Sequence, residues 1–378
     1  MAKWSEEKVW DWYDRVGWLR GCNFMPSNCA NRIDMYQNYD WEAHYKCAEE
    51  ELALAHELGF NSIRIILDFT VWMEEHDDCL KHIDAYLELC EKNEITAMIT
   101  LGNDCCTPKN ELYVEPHVGE QKYDWGYHGG RKYSQHSNIP QMGFSPLDEP
   151  ETREKFYEFI REIITRYKED ERVCVWDLYN EVGNNRRDAV SLPHLKKFFE
   201  IAWEINPIQP LTACVWRGIV GGVDNMNECE KFAIENSDVI SYHCYGNIEE
   251  NVKRIRFLKK YNRPIFNTEW LGRTLGSNVF DLFPMFYLEK VSCYNWGFVA
   301  GKYQTYEPWN GTWEDYESGK NTNVDFTKWF HDLYRPSLRP YDPKETELMR
   351  RICDLADEDM NKNIPHNKKM SEQEICEY

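Results

Sequence analysis

Short, continuous apolar runs alternate along this chain with longer stretches in which apolar residues return every three or four positions. The runs have strand length and the stretches have helical period, and the alternation repeats about eight times. Strands are predicted at Leu19–Phe24, Ser62–Leu67, Thr96–Leu101, Val173–Tyr179, Leu211–Trp216, Val239–Tyr245, Pro264–Thr268 and Asn295–Lys302. They are apolar throughout rather than alternating, as parallel strands covered on both faces are. Between them, Trp41, Tyr45, Ala48, Leu52 and Ala55 make one helical stripe, with Asp40 placed to cap it and Gly59 to end it. Similar stripes run through Phe156, Ile160, Ile163 and Tyr167, and through Leu195, Phe198, Ala202 and Ile205.

Eight such units predict an α/β chain folded as a single (β/α)8 barrel. Residues 1–360 are assigned to it, including a short helix around Val9, Trp10, Tyr13 and Val16 that plugs its lower end and an added helix over Thr346–Glu358. Residues 361–378 read as a polar tail. Two loops are long for this pattern, Gly102–Leu147 and Gln304–Phe326, and both follow strand C-termini, where barrel active sites are built. The first carries His117, Trp125, Tyr127, His128 and Arg131, and the second Tyr306, Trp309, Trp313 and Tyr316. Such aromatics either stack on a sugar or form the loops' own small cores.

Composition narrows the chemistry. A net charge of −21 argues against nucleic acid or anionic membrane as a partner. No apolar stretch approaches the ~20 residues of a membrane span, and Met1–Glu7 lacks the apolar core of a signal peptide, so a cytoplasmic protein is expected. The 14 cysteines fall within predicted strands and helices, as buried reduced thiols do. No C-x-x-C or H-E-x-x-H spacing occurs, and neither metal nor cofactor is expected.

Two acids stand out. Glu181 closes the apolar run Val173-Cys-Val-Trp-Asp-Leu-Tyr-Asn180, and Glu269 closes Pro264-Ile-Phe-Asn-Thr268. A buried carboxylate is costly unless paired, so two at strand ends point to one site. Two opposed carboxyl groups without a cofactor suit hydrolysis of a glycosidic bond, one as acid/base and the other as nucleophile or base.

These residues carry a resemblance to retaining β-glycosidases of the large (β/α)8 clan, nearest to glycoside hydrolase family 5. Asn180-Glu181 is similar to the clan's Asn-Glu acid/base pair and Glu269 to its nucleophile. Arg64 on the second strand is similar to the arginine that steadies the nucleophile, and His243-x-Tyr245 to the family's His-x-Tyr. The resemblance spans Trp18 to Trp309. It implies that Asn180 holds the sugar 2-hydroxyl, that Tyr245 orients Glu269, and that His243 orients a neighbour or the sugar, unless it is a core histidine. The family places a tryptophan platform at the end of the eighth strand. Trp296 stands too early in the run Asn295–Lys302 for that, so Lys302 and Gln304 are expected to contact the sugar and Trp309 to stack on it. The expected activity is double-displacement hydrolysis of short β-linked oligosaccharides, with a terminal β-mannoside as the leading substrate. An endo-acting mannanase, cellulase or xylanase, or a sugar-binding barrel without catalysis, are the alternatives, and no oligomeric state is assigned.

Overall fold

A computed structural model describes residues 3–110, 113–122, 138–217 and 225–362. Eight parallel strands form one sheet: β1 (Arg20–Asn23), β2 (Ser62–Ile66), β3 (Thr96–Asn103), β4 (Val173–Asn180), β5 (Leu211–Thr212), β6 (Ile240–His243), β7 (Ile265–Trp270) and β8 (Ser292–Asn295). Their order is β5-β4-β3-β2-β1-β8-β7-β6, and a parallel bridge from Val215 to Tyr242 joins the two ends. The sheet therefore closes into a (β/α)8 barrel. At Gly21 the strands β1 and β2 run so close that a β-carbon would lie 1.6 Å from the Ser62 carbonyl oxygen.

Helices Trp41–Leu58, Pro150–Tyr167 and Leu192–Ile205 follow the apolar stripes of the sequence and bury most of each, while Trp41, Tyr45 and Ile205 stay partly exposed. Asp40 corrects one detail: it takes a left-handed conformation at φ 54° and its side chain makes no capping bond. Beneath the barrel, Val9, Trp12 and Tyr13 of helix Glu6–Val16 pack with Leu19, Met98, Val175, Phe266 and Tyr294. Helix Pro343–Asn361 packs against helix Val279–Glu289 on the outside.

The eighth strand differs from expectation. It lies at Ser292–Asn295, before the apolar run predicted as a strand. Tyr294 explains the placement, because it points into the barrel base and shares a 2.9 Å hydrogen bond with Ser62. The more apolar segment after it turns over the rim, where Phe298 packs on Phe60 and Tyr334. Trp296 thus stands directly after the strand. The described cysteines are all free thiols, most of them buried. Among the described residues, no helix is long and apolar enough to cross a membrane.

Candidate active site

Within the upper barrel, side chains from β1, β4 and β7 converge on Arg64 of β2, which is fully buried. Its Nε and Nη2 donate to Asp177 Oδ2 of β4 at 3.0 and 2.7 Å, and Nη2 also donates to Asn180 Oδ1 at 2.6 Å. Nη1 donates to Asn23 Oδ1 of β1 at 2.6 Å and to Glu269 Oε1 of β7 at 3.0 Å. Burial works against the charge on Arg64, but Asp177 and Glu269 outweigh it and raise its pKa. A guanidinium so held is a fixed positive charge beside Glu269.

Glu269 accepts a second bond on Oε2, from the Tyr245 hydroxyl at 2.8 Å. Burial raises the Glu269 pKa and nearby Glu181 adds to that, while His243, Arg64 and the Tyr245 bond oppose it. Tyr245 is itself pushed up, by burial and then by Glu269, so its hydroxyl stays a donor.

Glu181 is built differently. It follows β4 with φ 46°, a left-handed backbone rare for a residue with a side chain, and its amide donates to Cys214 Sγ at 3.0 Å. Its Oε2 accepts from Cys105 Sγ at 3.0 Å and from Asn184 Nδ2, and its Oε1 lies 2.7 Å from His243 Nδ1. That same imidazole nitrogen is 3.4 Å from Glu269 Oε2. Burial would lower the His243 pKa, but Cys214, Glu269 and Glu181 together raise it well above the usual imidazole range. One oxygen of each glutamate and a ring nitrogen of His243 all lie within 4.8 Å of one another. Oxygens this close fit the carboxyl separation of about 5–5.5 Å that belongs to retention rather than the about 6.5–9.5 Å of inversion.

These groups line a cavity of ≈ 450 Å³. The sequence-expected residues Arg64, Asn180, Glu181, His243, Tyr245, Glu269 and Trp309 all border it, with Trp309 set edge to face against Tyr245 at 5.0 Å. Others do not. Lys302 faces a second cavity with Asp34, His44 and Gln121, because Gly301 lies flat against Ser27, where a β-carbon would be 1.9 Å from the Ser27 carbonyl oxygen. The Lys302 amide bonds that same oxygen, so Gly301 and Tyr303 border the catalytic cavity while Lys302 turns outward. Gln304 is buried between Tyr303 and Thr305, which border the cavity in its place. His117 is exposed and bonds the Glu115 carbonyl, away from the cavity. Trp125 and His128 lie outside the described residues.

Trp296 corrects the expectation made for it: standing just beyond β8, it borders the cavity. Sequence reasoning also passed over Asp177, Asn23, Asn103, Cys105, Asn184 and Trp216. For Asp177 a signal existed, since a charge inside the apolar run Val-Cys-Val-Trp-Asp-Leu needs a buried partner. Asn23 and Asn103 likewise end their strands.

A sequence model of the family described as "Cellulase (glycosyl hydrolase family 5)" matches residues 21–273. No curated protein sequence matches. Solved structures similar to this one include the exo-beta-1,4-mannosidase Op5Man5 from Opitutaceae bacterium strain TAV5 (14% identity, TM-score 0.54, covering 92% of this chain and 60% of that one). A glycoside hydrolase family 5 mannosidase from Rhizomucor miehei shares 12% identity at TM-score 0.52, covering 91% of this chain and 94% of that one. The endo-beta-1,4-mannanase from Thermotoga petrophila shares 13% at TM-score 0.53, covering 91% and 78%. The chain thus spans under two thirds of the Opitutaceae enzyme, and these likenesses establish the barrel.

Proposed function

The chain belongs to glycosyl hydrolase family 5, and from that premise we propose that it removes single β-linked mannose residues from the ends of short glycosides, by double displacement. The observation that carries the mechanism is the spacing of Glu181 and Glu269, one oxygen of each lying within 4.8 Å of the other. In the first step a Glu269 oxygen bonds the anomeric carbon as the glycosidic C–O bond breaks, and Glu181 gives its proton to the departing oxygen. In the second, Glu181 takes a proton from water, whose oxygen displaces Glu269 from the same carbon. Arg64 and Tyr245 keep Glu269 ionised for the first attack and stabilise it as it leaves. His243, bonded to Glu181 through Nδ1, orients the acid toward the departing oxygen.

The preference for short substrates rests on the cavity, whose ≈ 450 Å³ suits a ligand of disaccharide size better than a polymer strand. The choice of mannose leans on the mannosidases and mannanase among the similar structures. A cytoplasmic setting belongs to the same proposal, favoured by the free, mostly buried thiols.

Hydrolysis of 4-nitrophenyl β-mannoside followed by NMR tests it: the first mannose released is expected as the β anomer. On mannan, monosaccharide should appear before viscosity falls. Early α anomer overturns double displacement, and a rapid viscosity drop with oligosaccharide products replaces end-wise release by internal cleavage.

A further inference from the structure

The charged residues that border the catalytic cavity, among the described residues, are Arg32, Arg64, Glu181, His243, Arg254 and Glu269. Their balance is uneven. Arg64 is matched by Asp177 beneath it and by Glu269, and His243 lies against both glutamates. With a proton on Glu181, as the first chemical step requires, Arg64 and His243 balance Asp177 and Glu269. Arg32 and Arg254 are then left over.

Among the described residues, neither pairs with an acidic side chain. Arg32 opens the short helix Arg32–Tyr36 in the loop after β1 and is half-buried, and its guanidinium makes no hydrogen bond or ion pair among the described residues. Arg254 donates from Nη1 to the Glu250 carbonyl at 3.2 Å, but its Nε is buried with no partner. A half-buried guanidinium has lost part of its hydration and offers five N–H donors in a planar fork that fits carboxylate or phosphate. In a chain of net charge −21, whose distant field repels anions, two unneutralised cations in one cavity form a local reversal of sign.

The chemistry says which part of the substrate meets Arg32. Glu181 protonates the leaving oxygen, so the aglycone lies on the β4 side of the scissile bond. The terminal sugar then sits over Glu269 and extends away from β4, toward β8 and β1. Arg32 follows β1 and Trp296 follows β8 in the chain, and both border the cavity.

We propose that the terminal sugar of the natural substrate carries an anionic group, a phosphate ester or a carboxylate, which Arg32 binds. This rests on the glycosidase reading above and extends it to the substrate class. A neutral sugar would leave Arg32 with hydroxyl contacts alone, whereas an anion gives it charge-assisted bonds.

The test compares 4-nitrophenyl β-mannoside and β-glucoside with their 6-phosphates and with the matching uronides, on the full chain and on Arg32→Gln and Arg32→Lys. One charged class is expected to show a kcat/KM about 10- to 100-fold above its neutral parent. Which class does so separates phosphate from carboxylate. In Arg32→Gln the charged-to-neutral ratio should collapse toward one, mainly through KM, and Arg32→Lys should restore part of it. Preference for the neutral glycosides, or a ratio unchanged in Arg32→Gln, overturns the inference while leaving the glycosidase reading intact. If no glycoside, charged or neutral, is cleaved, both fall.

Discussion

Glu269 and Glu181 are of one chemical type, both buried and within reach of one imidazole, yet their supports come from different parts of the fold. Glu269 is held by strand residues, with Arg64 from β2 and Tyr245 just past β6, and Arg64 is held in turn by Asn23 of β1 and Asp177 of β4. Glu181 is held mostly by loops, through the Cys105 thiol, the Asn184 amide and a left-handed backbone turn, with His243 bridging to the strands. The difference follows the work of each group. A nucleophile must stay ionised and fixed, and a closed sheet is the stiffest frame available for that. An acid/base must give up and regain a proton while leaving group and water exchange in front of it, and neutral donors on loops tolerate both of its charge states.

The largest effect expected from this contrast is on covalent chemistry. Glu269→Ala should lower kcat by on the order of 10⁴-fold or more on every substrate, since no other group can form the bond to the anomeric carbon. Glu181→Ala should cost about 10²- to 10⁴-fold on poor leaving groups and far less on activated ones. Added azide should revive it by forming a β-glycosyl azide, detectable by mass spectrometry. Equal, azide-insensitive losses in the two variants would erase the distinction between the two sites.

The same contrast explains what could be read from the chain beforehand. Arg64, Asn180, His243, Tyr245 and Glu269 lie on or next to strands, where a charge or amide interrupts an apolar run and the period-two geometry fixes its direction. Loop residues carry no such periodicity. Nothing local marks Cys105 as a partner of Glu181, because the contact joins positions 76 residues apart. The direction of Lys302 is hidden for the same reason, being set by the close approach of Gly301 to Ser27, a tertiary contact. The eighth strand failed differently. Its true residues, Ser292-Cys293-Tyr294-Asn295, are less apolar than the rim segment Phe298-Val299-Ala300, so hydrophobicity pointed past the strand and hid the position of Trp296. Barrel interiors here are lined with hydrogen-bonded polar groups such as Ser62, Thr100 and Ser292, which a search for apolar runs undervalues.

A smaller effect, on the strand-held side, isolates the Tyr245 hydroxyl. Tyr245→Phe keeps the ring against Trp309 and removes only the donor to Glu269. A hydrogen bond to a charged group contributes about 1.5–3 kcal/mol, so kcat/KM should fall roughly 10- to 100-fold. The sign of the pH effect is fixed as well. The Tyr245 bond favours ionised Glu269 against burial and Glu181, which raise its pKa. Without the bond that pKa rises further, and the acidic limb of the kcat/KM profile should move to higher pH. A profile that drops without moving would mean that the hydroxyl only positions the sugar.

The smallest effect belongs to the loop-held side and is the sharpest check on the comparison. Cys105 donates its thiol proton to Glu181 Oε2 at 3.0 Å, and burial, with Glu181 and Glu269 beside it, holds the thiol pKa well above its ordinary value. It is therefore a protonated, weak donor at any working pH, one of several neutral contacts on that carboxylate. Cys105→Ala should lower kcat/KM about fivefold, the equivalent of one weak hydrogen bond of roughly 1 kcal/mol. Cys105→Ser should recover most of the loss, because a hydroxyl can donate from nearly the same position, whereas a role in packing alone would favour alanine as much as serine. If Cys105→Ala instead costs more than Tyr245→Phe, the loop contacts grip the acid/base as firmly as the sheet grips the nucleophile. The contrast between a strand-fixed nucleophile and a loop-held acid would then be geometric without being energetic.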